Sequence, residues 1–285
     1  MTVGPVAIVG LGRMGAAMAG TLHRAGFDLI VYNRTPAAAD AVAAATGATV
    51  ADTPRVVAAA ADVVVSSLAD STAVHAVYGG ENGVAAGIRP GAVVLETSTI
   101  DPATVAEVGE WVDAAGAALV DAPVSGSVSL VEQGALTVMA GGDAAAISKA
   151  QPVLDALAAR VFHVGSRGAG ATTKLAVNAL VHGINASLAE ALVLAERAGV
   201  DRATAYEVFA AGAGGAPFVQ YKQGAYLRPE ETPVAFSLDL VAKDLDLITG
   251  LGDRVGAPMP VTKAGLGLTQ AAIDSGLGDD DMSAL

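Results

Sequence analysis

The sequence contains no cysteine, which excludes disulfide bonds and zinc sites held by thiolates. Its four histidines match no metal-binding spacing with aspartate or glutamate, so we expect no metal site. Cations are also scarce, since 16 lysines and arginines stand against 29 aspartates and glutamates, which gives a net charge of −13. Because nucleic acids and anionic membranes attract basic surfaces, this charge argues against both as partners.

Aromatic residues make up only 4% of the chain, although 53% of it is hydrophobic. Much of that content is alanine, which suits close-packed helices and parallel strands better than a β-sandwich. The first residues, Met1 to Pro5, carry no basic cluster, and the apolar run after them is shorter than that of a signal peptide. We therefore expect a cytoplasmic protein. Its 285 residues are enough for one large domain or two modest ones.

A glycine-rich turn follows the first strand-like run, Val6–Val9, and precedes an amphipathic stretch, Ala16 to Ala25. The turn consists of Gly10-Leu11-Gly12-Arg13-Met14-Gly15. In this G-x-G-x-x-G pattern the first glycine allows a tight turn, the second lets a pyrophosphate approach the backbone, and the third lets the next helix lie close to the sheet. The N–H groups that start the helix would then face the phosphates. The context predicts a dinucleotide site, and the alternative is a structural strand-turn-helix that binds nothing.

Up to residue 164, short β-branched runs alternate with helical stretches, which is typical of a parallel sheet. Beyond Gly165 the strand pattern stops, and the chain reads as helices broken by glycines and prolines. We therefore predict an α/β fold. A Rossmann-type, doubly wound, mostly parallel sheet at residues 1–164 would bind the dinucleotide, and an all-α domain at residues 165–285 would serve substrate binding and oligomerisation. The predicted strands are Val6–Val9, Leu29–Tyr32, Val63–Leu68, Val93–Glu96, Leu119–Asp121, Leu136–Ala140 and Val161–Val164.

The end of the second predicted strand indicates which dinucleotide binds. An NAD site normally has Asp or Glu here to accept hydrogen bonds from the ribose 2′-hydroxyl, whereas this chain has Asn33, Arg34 and Thr35. A carboxylate would repel a 2′-phosphate, but Arg34 can pair with one bidentately and Thr35 can donate to it. This favours NADP(H), with NAD(H) still possible, and the alternative is an ordinary surface arginine in a turn.

Lys174 is the sole charged side chain between Arg167 and Glu190, inside a predicted helix from Gly168 to Ala198. Burial would lower the pKa of such a lysine and suit it to proton transfer near neutral pH. Asn178 lies one turn later on the same face, where it could bind the same substrate oxygen or orient the amine. A lysine whose ammonium extends to solvent from the helix end is an equally good interpretation.

The middle of this helix is apolar almost all round, so we expect it to be buried between other helices or subunits, in a homodimer or homotetramer. Its polar residues Lys174, Asn178, His182 and Asn185 argue against a membrane span.

A polar loop, Asp121 to Ser127, directly follows a predicted strand and so lies at the carboxyl edge of the sheet, where ligands bind in open α/β folds. Ser125 and the N–H groups of Gly126 and Ser127 could form an anion site for a substrate carboxylate. When this stretch is considered without the rest of the sequence, an ordinary loop is the better interpretation.

Four stretches together resemble the β-hydroxyacid dehydrogenase family, in the right order and across the whole chain. They are the glycine loop; Asp121 to Ser127 with Gly134-Ala135-Leu136; Gly168 to Asn178; and Phe236 to Asp244 with Leu245. The resemblance implies that Lys174 is the general acid and that Asn178 and Ser125 hold a small carboxylate-bearing carbonyl substrate. It places Thr99 by the nicotinamide, Lys243 against the cofactor, Phe236 and Asp244 in the site, and Leu68 and Ala69 beside the adenosine.

Within that family, many hydroxyisobutyrate dehydrogenases have two glycines after the loop serine, and here the second is Ser127. Together with Asn33, Arg34 and Thr35, this looks more like the glyoxylate and succinic semialdehyde reductases. The alternatives are an NAD-dependent hydroxyisobutyrate dehydrogenase, an imine-reducing relative, which Lys174 disfavours, and a cofactor-binding module without catalysis. We expect each of the four histidines to be a surface residue or a helix residue whose hydrogen bonds are satisfied; they are His23, His75, His163 and His182. We also expect a loose tail at Gly278–Leu285.

Overall fold

The computed structural model describes residues 4–285 and divides the chain into two compact units, the first ending at Lys174 and the second beginning at Leu175. The predicted boundary, at residue 164, lies ten residues earlier, so the start of the long helix falls in the first unit.

The first unit is built on one twisted sheet of nine strands. Its order is β3-β2-β1-β4-β5-β6-β8-β7, with β9 paired to β8. Strands β1 to β6 are parallel, whereas β8 runs antiparallel to β6 and β7. The strands are β1 Val6–Val9, β2 Leu29–Tyr32, β3 Thr49–Val50, β4 Val63–Ser66, β5 Val93–Glu96, β6 Ala118–Asp121, β7 Val124–Ser125, β8 Leu136–Gly141 and β9 Ala158–Gly165.

Helices cover both faces of this sheet because its central strands are apolar on both sides. On β1, Val6 and Ile8 face one hydrophobic core, and Ala7 and Val9 face another. The helices that follow the strands are α1 Arg13–Arg24, α2 Pro36–Thr46, α3 Pro54–Ala59, α4 Ser71–Tyr78, α5 Val84–Gly87, α6 Pro102–Ala114, α7 Val128–Glu132 and α8 Ala144–Leu157.

Helix α9, Ala169–Arg197, leaves the first unit and enters the second. The second unit is helical: it continues with α10 Arg202–Ala211, α11 Pro217–Leu227, α12 Leu238–Val255 and α13 Pro260–Ala272, with short 3-10 or π turns at Pro229–Glu231, Ile273–Leu277 and Met282–Ala284. Its core gathers apolar residues of these helices, among them Leu192, Tyr206 and Leu245.

Two expectations need correction. Helix α1 begins at Arg13, three residues before the predicted start, so Gly15 lies in its first turn. Within the chain, helix α9 leaves Leu180, Val193 and Leu194 exposed, so its burial by another subunit stays a prediction. The C-terminal tail is anchored rather than loose, since Lys222 Nζ lies 2.7 Å from Asp281 Oδ1 and Met282 is buried.

By length and composition alone, helix α9 could cross a membrane. Two of its buried polar residues are instead bonded to other parts of the second unit. Asn178 donates to Asp244 on α12 at 2.6 Å, and Asn185 donates to the carbonyl oxygen of Met282 at 2.8 Å. Such contacts are typical of a core helix in a globular domain.

Candidate active site

The glycine loop joins β1 to α1 with the geometry that a diphosphate needs. Gly10 has φ +87°, and a Cβ on it would collide with the carbonyl oxygen of Ser67. A Cβ on Gly15 would collide with the carbonyl oxygen of Gly10, so the helix can approach the loop only without a side chain here. Gly12 faces open space and begins α1 with no side-chain cap. The uncapped N–H groups of this helix start therefore fit an anionic diphosphate.

Asn33 ties the glycine loop to the end of β2. Its Oδ1 accepts a hydrogen bond from the N–H of Leu11 at 2.9 Å, and its Nδ2 donates to the carbonyl oxygen of Thr35 at 3.0 Å. The side chain thus shapes the loop, and its direct contact with a ribose stays a prediction. Arg34 and Thr35 are exposed at the same edge of the sheet, where a 2′-phosphate could reach them.

A buried polar cluster connects the ends of β4 and β5. Ser66 Oγ and Tyr78 Oη both lie within hydrogen-bond distance of Glu96 Oε2, at 2.6 and 2.8 Å, and the N–H of Ser98 donates to Glu96 Oε1 at 2.8 Å. Ser98 Oγ accepts from the N–H of Leu68 at 2.7 Å. The loops that hold Leu68 and Thr99, two predicted cofactor contacts, are thereby fixed to one buried carboxyl group.

This carboxyl group fits best as a neutral acid. Burial raises the pKa of Glu96, and it also raises the pKa of Tyr78 well above 10. Ser66 Oγ and Tyr78 Oη also lie only 2.6 Å apart. Three mutual contacts require three hydrogens, of which the two hydroxyls supply two, so a proton on Glu96 completes the ring.

Asp121, the last residue of β6, holds the start of helix α9. Its Oδ1 accepts from the N–H of Gly168 at 2.9 Å and its Oδ2 from the N–H of Ala171 at 2.8 Å. Gly170 allows this contact, because a Cβ there would collide with the carbonyl oxygens of Asp121 and Met139. Burial raises the pKa of Asp121 to about 6, although these N–H donors favour the ionised form. Lys174 follows within two turns, so Asp121 fixes the part of the helix that carries it.

The loop after Asp121 contains the predicted carboxylate-binding residues. Ser125 lies in β7, paired with Thr137 of β8, and is half-buried. Gly126 has φ +142° and is exposed, and the hydroxyl of Ser127 lies 2.8 Å from that of Ser129. The first unit therefore places this loop and Lys174 on segments that meet at Asp121. Lys174 itself is half-buried rather than fully buried.

In the second unit, Asp244 is the centre of a second cluster. Its carboxylate is 1% exposed; Oδ2 accepts from Asn178 Nδ2 at 2.6 Å, and Lys243 Nζ lies 3.0 Å from Oδ1. Although burial alone would raise it, the pKa of Asp244 is lowered by His182 and Lys243. An ionised carboxylate can only accept hydrogen bonds, so it fixes the amide of Asn178 with Nδ2 toward Asp244 and leaves Oδ1 to accept from an ammonium or a hydroxyl.

His182 was missed by the sequence analysis. It is only 6% exposed, so the expectation of a surface residue is wrong, and neither ring nitrogen has a hydrogen-bond partner among residues 4–285, so its hydrogen bonds are not satisfied either. Its ring lies 6.0 Å from that of Phe236, a predicted site residue, and its Nε2 lies 3.5 Å from Asp244 Oδ2. The sequence feature that could have identified it is the four-residue spacing from Lys174 through Asn178 to His182, which places the three residues on one face of the helix.

Two other features bear on the site. Within the described part of the chain, no cluster of His, Asp and Glu could hold a metal ion. A cavity of about 600 Å³ in the second unit is lined by Arg202, Tyr226 and Asp281 among others, and includes none of the predicted site residues.

Comparisons with known proteins identify the family of this chain. A family model described as the NAD binding domain of 6-phosphogluconate dehydrogenase matches residues 5–165. Another, described as NAD-binding of NADP-dependent 3-hydroxyisobutyrate dehydrogenase, matches residues 168–285. The chain belongs to the β-hydroxyacid dehydrogenase family. This membership confirms the Rossmann-type fold with its helical C-terminal domain, and it establishes an NAD(P)-dependent hydroxyacid dehydrogenase.

Individual relatives of this dehydrogenase act on varied substrates. The chain is 34% identical to 2-(hydroxymethyl)glutarate dehydrogenase of Eubacterium barkeri, over 98% of its own length and 93% of the relative's. It is 35% identical to the chloroplastic glyoxylate/succinic semialdehyde reductase 2 of Arabidopsis thaliana, over 98% and 78% of the two lengths. A crystal structure of 3-hydroxyisobutyrate dehydrogenase from Salmonella typhimurium superimposes with a TM-score of 0.90 at 32% identity, and the match covers 99% of this chain and 98% of that one.

Proposed function

We propose that this dehydrogenase is an NADPH-dependent reductase of small aldehyde or keto acids, of the glyoxylate and succinic semialdehyde type. The observation that carries the proposal is the position of Lys174, on a helix start that Asp121 fixes beside the Ser125 loop. The Arabidopsis reductase is among the relatives that match over nearly the whole chain. Arg34 at the end of β2 supports NADPH as the preferred cofactor.

The residues of this chain have distinct parts in that reaction. The glycine loop would hold the diphosphate. Arg34 and Thr35 would bind the 2′-phosphate. Leu68, Ala69, Thr99 and Lys243 are the other predicted cofactor contacts. When bound, NADPH supplies the hydride that reduces the carbonyl carbon.

Lys174 donates the proton. As the carbonyl oxygen gains negative charge, the ammonium group stabilises it and then transfers a proton from Nζ, so that the product is a neutral hydroxyl. The lysine regains its proton from solvent. Asn178, with its amide orientation fixed by Asp244, presents Oδ1 as an acceptor for the ammonium or the hydroxyl. Ser125, Gly126 and Ser127 would bind the substrate carboxylate and fix which face of the carbonyl is reduced.

A 3-hydroxyisobutyrate dehydrogenase using NAD or NADP is the second candidate, supported by the family model over residues 168–285 and by the Salmonella structure. An NADPH-oxidation screen separates the candidates. It would compare glyoxylate, succinic semialdehyde, methylmalonate semialdehyde, tartronate semialdehyde and cyclic imines, each with NADPH and NADH. We expect the highest kcat/KM for an unbranched aldehyde acid with NADPH. Reduction of methylmalonate semialdehyde with NADH as the fastest reaction, which is the reverse of 3-hydroxyisobutyrate oxidation, would contradict the proposal.

We also propose a homodimer or homotetramer, because α9 exposes Leu180, Val193 and Leu194. Light scattering after size-exclusion chromatography tests this directly, and a monomeric mass would contradict it.

A further inference from the structure

The loops that follow β4 and β5 lie at the same edge of the sheet as the glycine loop, because β1, β4 and β5 are parallel neighbours. Gly10 packs directly against the first of these loops. A Cβ on Gly10 would collide with the carbonyl oxygen of Ser67 and with Leu68 Cδ2. Leu68 therefore borders the turn that fits a diphosphate, and a shift of its loop would change the space available to a dinucleotide.

Ser98 fixes the loop of Leu68 from the side of β5. Its Oγ accepts a hydrogen bond from the N–H of Leu68 at 2.7 Å, and its own N–H donates to Glu96 Oε1 at 2.8 Å. Ser98 is 5% exposed and Glu96 is 1% exposed, so water has little access to this connection. A further contact between the two loops, from the N–H of Asp101 to Ser71 Oγ, is 3.4 Å long and therefore weaker.

Loss of the bond to Ser98 would affect the protein most before the cofactor binds. The N–H of Leu68 would need another partner, and its loop would then occupy several conformations. If only one of these conformations accepts the dinucleotide, the apparent affinity falls in proportion to the population of that conformation. A hydrogen bond that keeps the loop in place therefore strengthens binding without touching the cofactor.

We propose that Ser98 is a positioning residue for the dinucleotide, which holds the Leu68 loop in its binding conformation in the free protein. Because Leu68 and Ala69 are expected beside the adenosine, Ser98 acts on a part that NADPH and NADH share. Arg34, by contrast, would act on the 2′-phosphate alone. The inference concerns the cofactor site of this dehydrogenase and is independent of which carbonyl acid it reduces.

The test measures the Kd for NADPH and for NADH by fluorescence titration of the wild type and of Ser98→Ala. Removal of the acceptor should raise both Kd values by the same factor, about three- to tenfold, which corresponds to the loss of one hydrogen bond. Ser98→Thr keeps the γ-hydroxyl group, so it should hold both Kd values within about twofold of the wild type.

Thr97→Val is the matched control. Thr97 is 8% exposed and its Oγ1 donates to the carbonyl oxygen of Ser66 at 2.7 Å, so the variant removes a buried hydrogen bond between the ends of the same two strands. That oxygen still accepts from the N–H of Thr97 at 2.9 Å. Urea unfolding should show similar losses of stability for Thr97→Val and Ser98→Ala. Only Ser98→Ala should change the two Kd values.

Hydrogen exchange of the free protein gives a second measurement. In the wild type the N–H of Leu68 should exchange slowly without cofactor, because it is donated to Ser98. Ser98→Ala should accelerate this exchange, and NADPH should slow it again. Fast exchange of Leu68 in the free wild-type protein would overturn the inference even if Ser98→Ala does not fold.

The titrations separate this inference from a structural role and from the proposed function. Kd values within about twofold of the wild type in Ser98→Ala overturn it, as does a loss confined to NADPH. An equal loss in Thr97→Val also overturns it, because any weakening of this sheet edge would then suffice. If both Kd values respond as expected but no carbonyl acid is reduced, the proposed function fails and the inference stands.

Discussion

Replacing Asp121 by Asn tests whether one buried carboxylate positions Lys174, the proposed general acid. The amide oxygen of Asn can accept from the N–H of Gly168 or of Ala171, but its NH₂ group then faces the other N–H. One buried backbone donor loses its partner, at a cost of about 1–3 kcal/mol. The start of helix α9 should loosen as a result.

Stability and activity should respond differently to this change. The rise in the pKa of Asp121 from 3.8 to about 6 means that burying its ionised form costs about 3 kcal/mol near neutral pH, a cost that Asn does not carry. The two effects oppose one another, so the free energy of unfolding at pH 7.5 should change by less than about 2 kcal/mol. By contrast, kcat should fall at least tenfold, because small displacements of a catalytic group have large effects on rate.

The pH dependence gives an independent check. Because the pKa of Asp121 is higher in the folded than in the unfolded state, the folded state binds more protons between about pH 4 and 6. Its contribution to stability is therefore complete below about pH 4 and is lost as the pH rises through about 6. Urea unfolding should show that the wild type loses this contribution between pH 4.5 and pH 7.5. Asp121→Asn has no titrating carboxyl group at this position, so it should show no such loss.

A matched control is Asp143→Asn. Asp143 accepts from the N–H groups of Ala145 and Ala146 at the start of α8, but it is exposed and lies outside the predicted site. Since Asn is a good N-cap, this variant should keep its turnover and its pH dependence. If Asp121→Asn keeps kcat within twofold of the wild type and shows the same pH dependence, our account of Asp121 is wrong.

Substitutions at two other positions have defined outcomes. Arg34→Ala should weaken NADPH binding about tenfold or more while leaving NADH binding unchanged, as measured by fluorescence titration; equal losses for both cofactors would contradict its contact with the 2′-phosphate. Glu96→Leu removes the carboxyl group shared by Ser66, Tyr78 and Ser98, so the free energy of unfolding should fall by about 3 kcal/mol. Glu96→Gln can donate to both hydroxyls and still accept from the Ser98 N–H, so its stability should stay much closer to that of the wild type, and a loss as large as that of leucine would contradict our account of this cluster.

Local patterns were sufficient to predict the α/β fold and the main strands. The strand Val6–Val9 is apolar on both faces and is followed by the glycine turn, and both features result from local sequence. The two-residue strands β3 and β7 have no detectable period, because their positions depend on pairing with β2 and β8. The anchored tail depends likewise on the distant pair of Lys222 with Asp281, which no local pattern reveals.

In the candidate site too, local sequence patterns predicted some residues, whereas the positions of others depend on tertiary contacts. Asn178 was predicted from its spacing to Lys174, but Asp244, which fixes its orientation, is 66 residues away and came only from the family resemblance. Asp121 lay within the predicted substrate loop, whereas its bonds to Gly168 and Ala171 required the folded chain. The burial of His182 depended on tertiary packing in the second unit, which sequence spacing alone did not reveal.

The measurement that tests the central claim most directly is the turnover of Lys174→Ala with NADPH and the best carbonyl acid of the screen. If Lys174 donates the proton, kcat should fall about 10²–10⁴-fold, whereas the Kd for NADPH should stay within about twofold of the wild type. Near-normal turnover in this variant would contradict the assignment of Lys174 as the general acid.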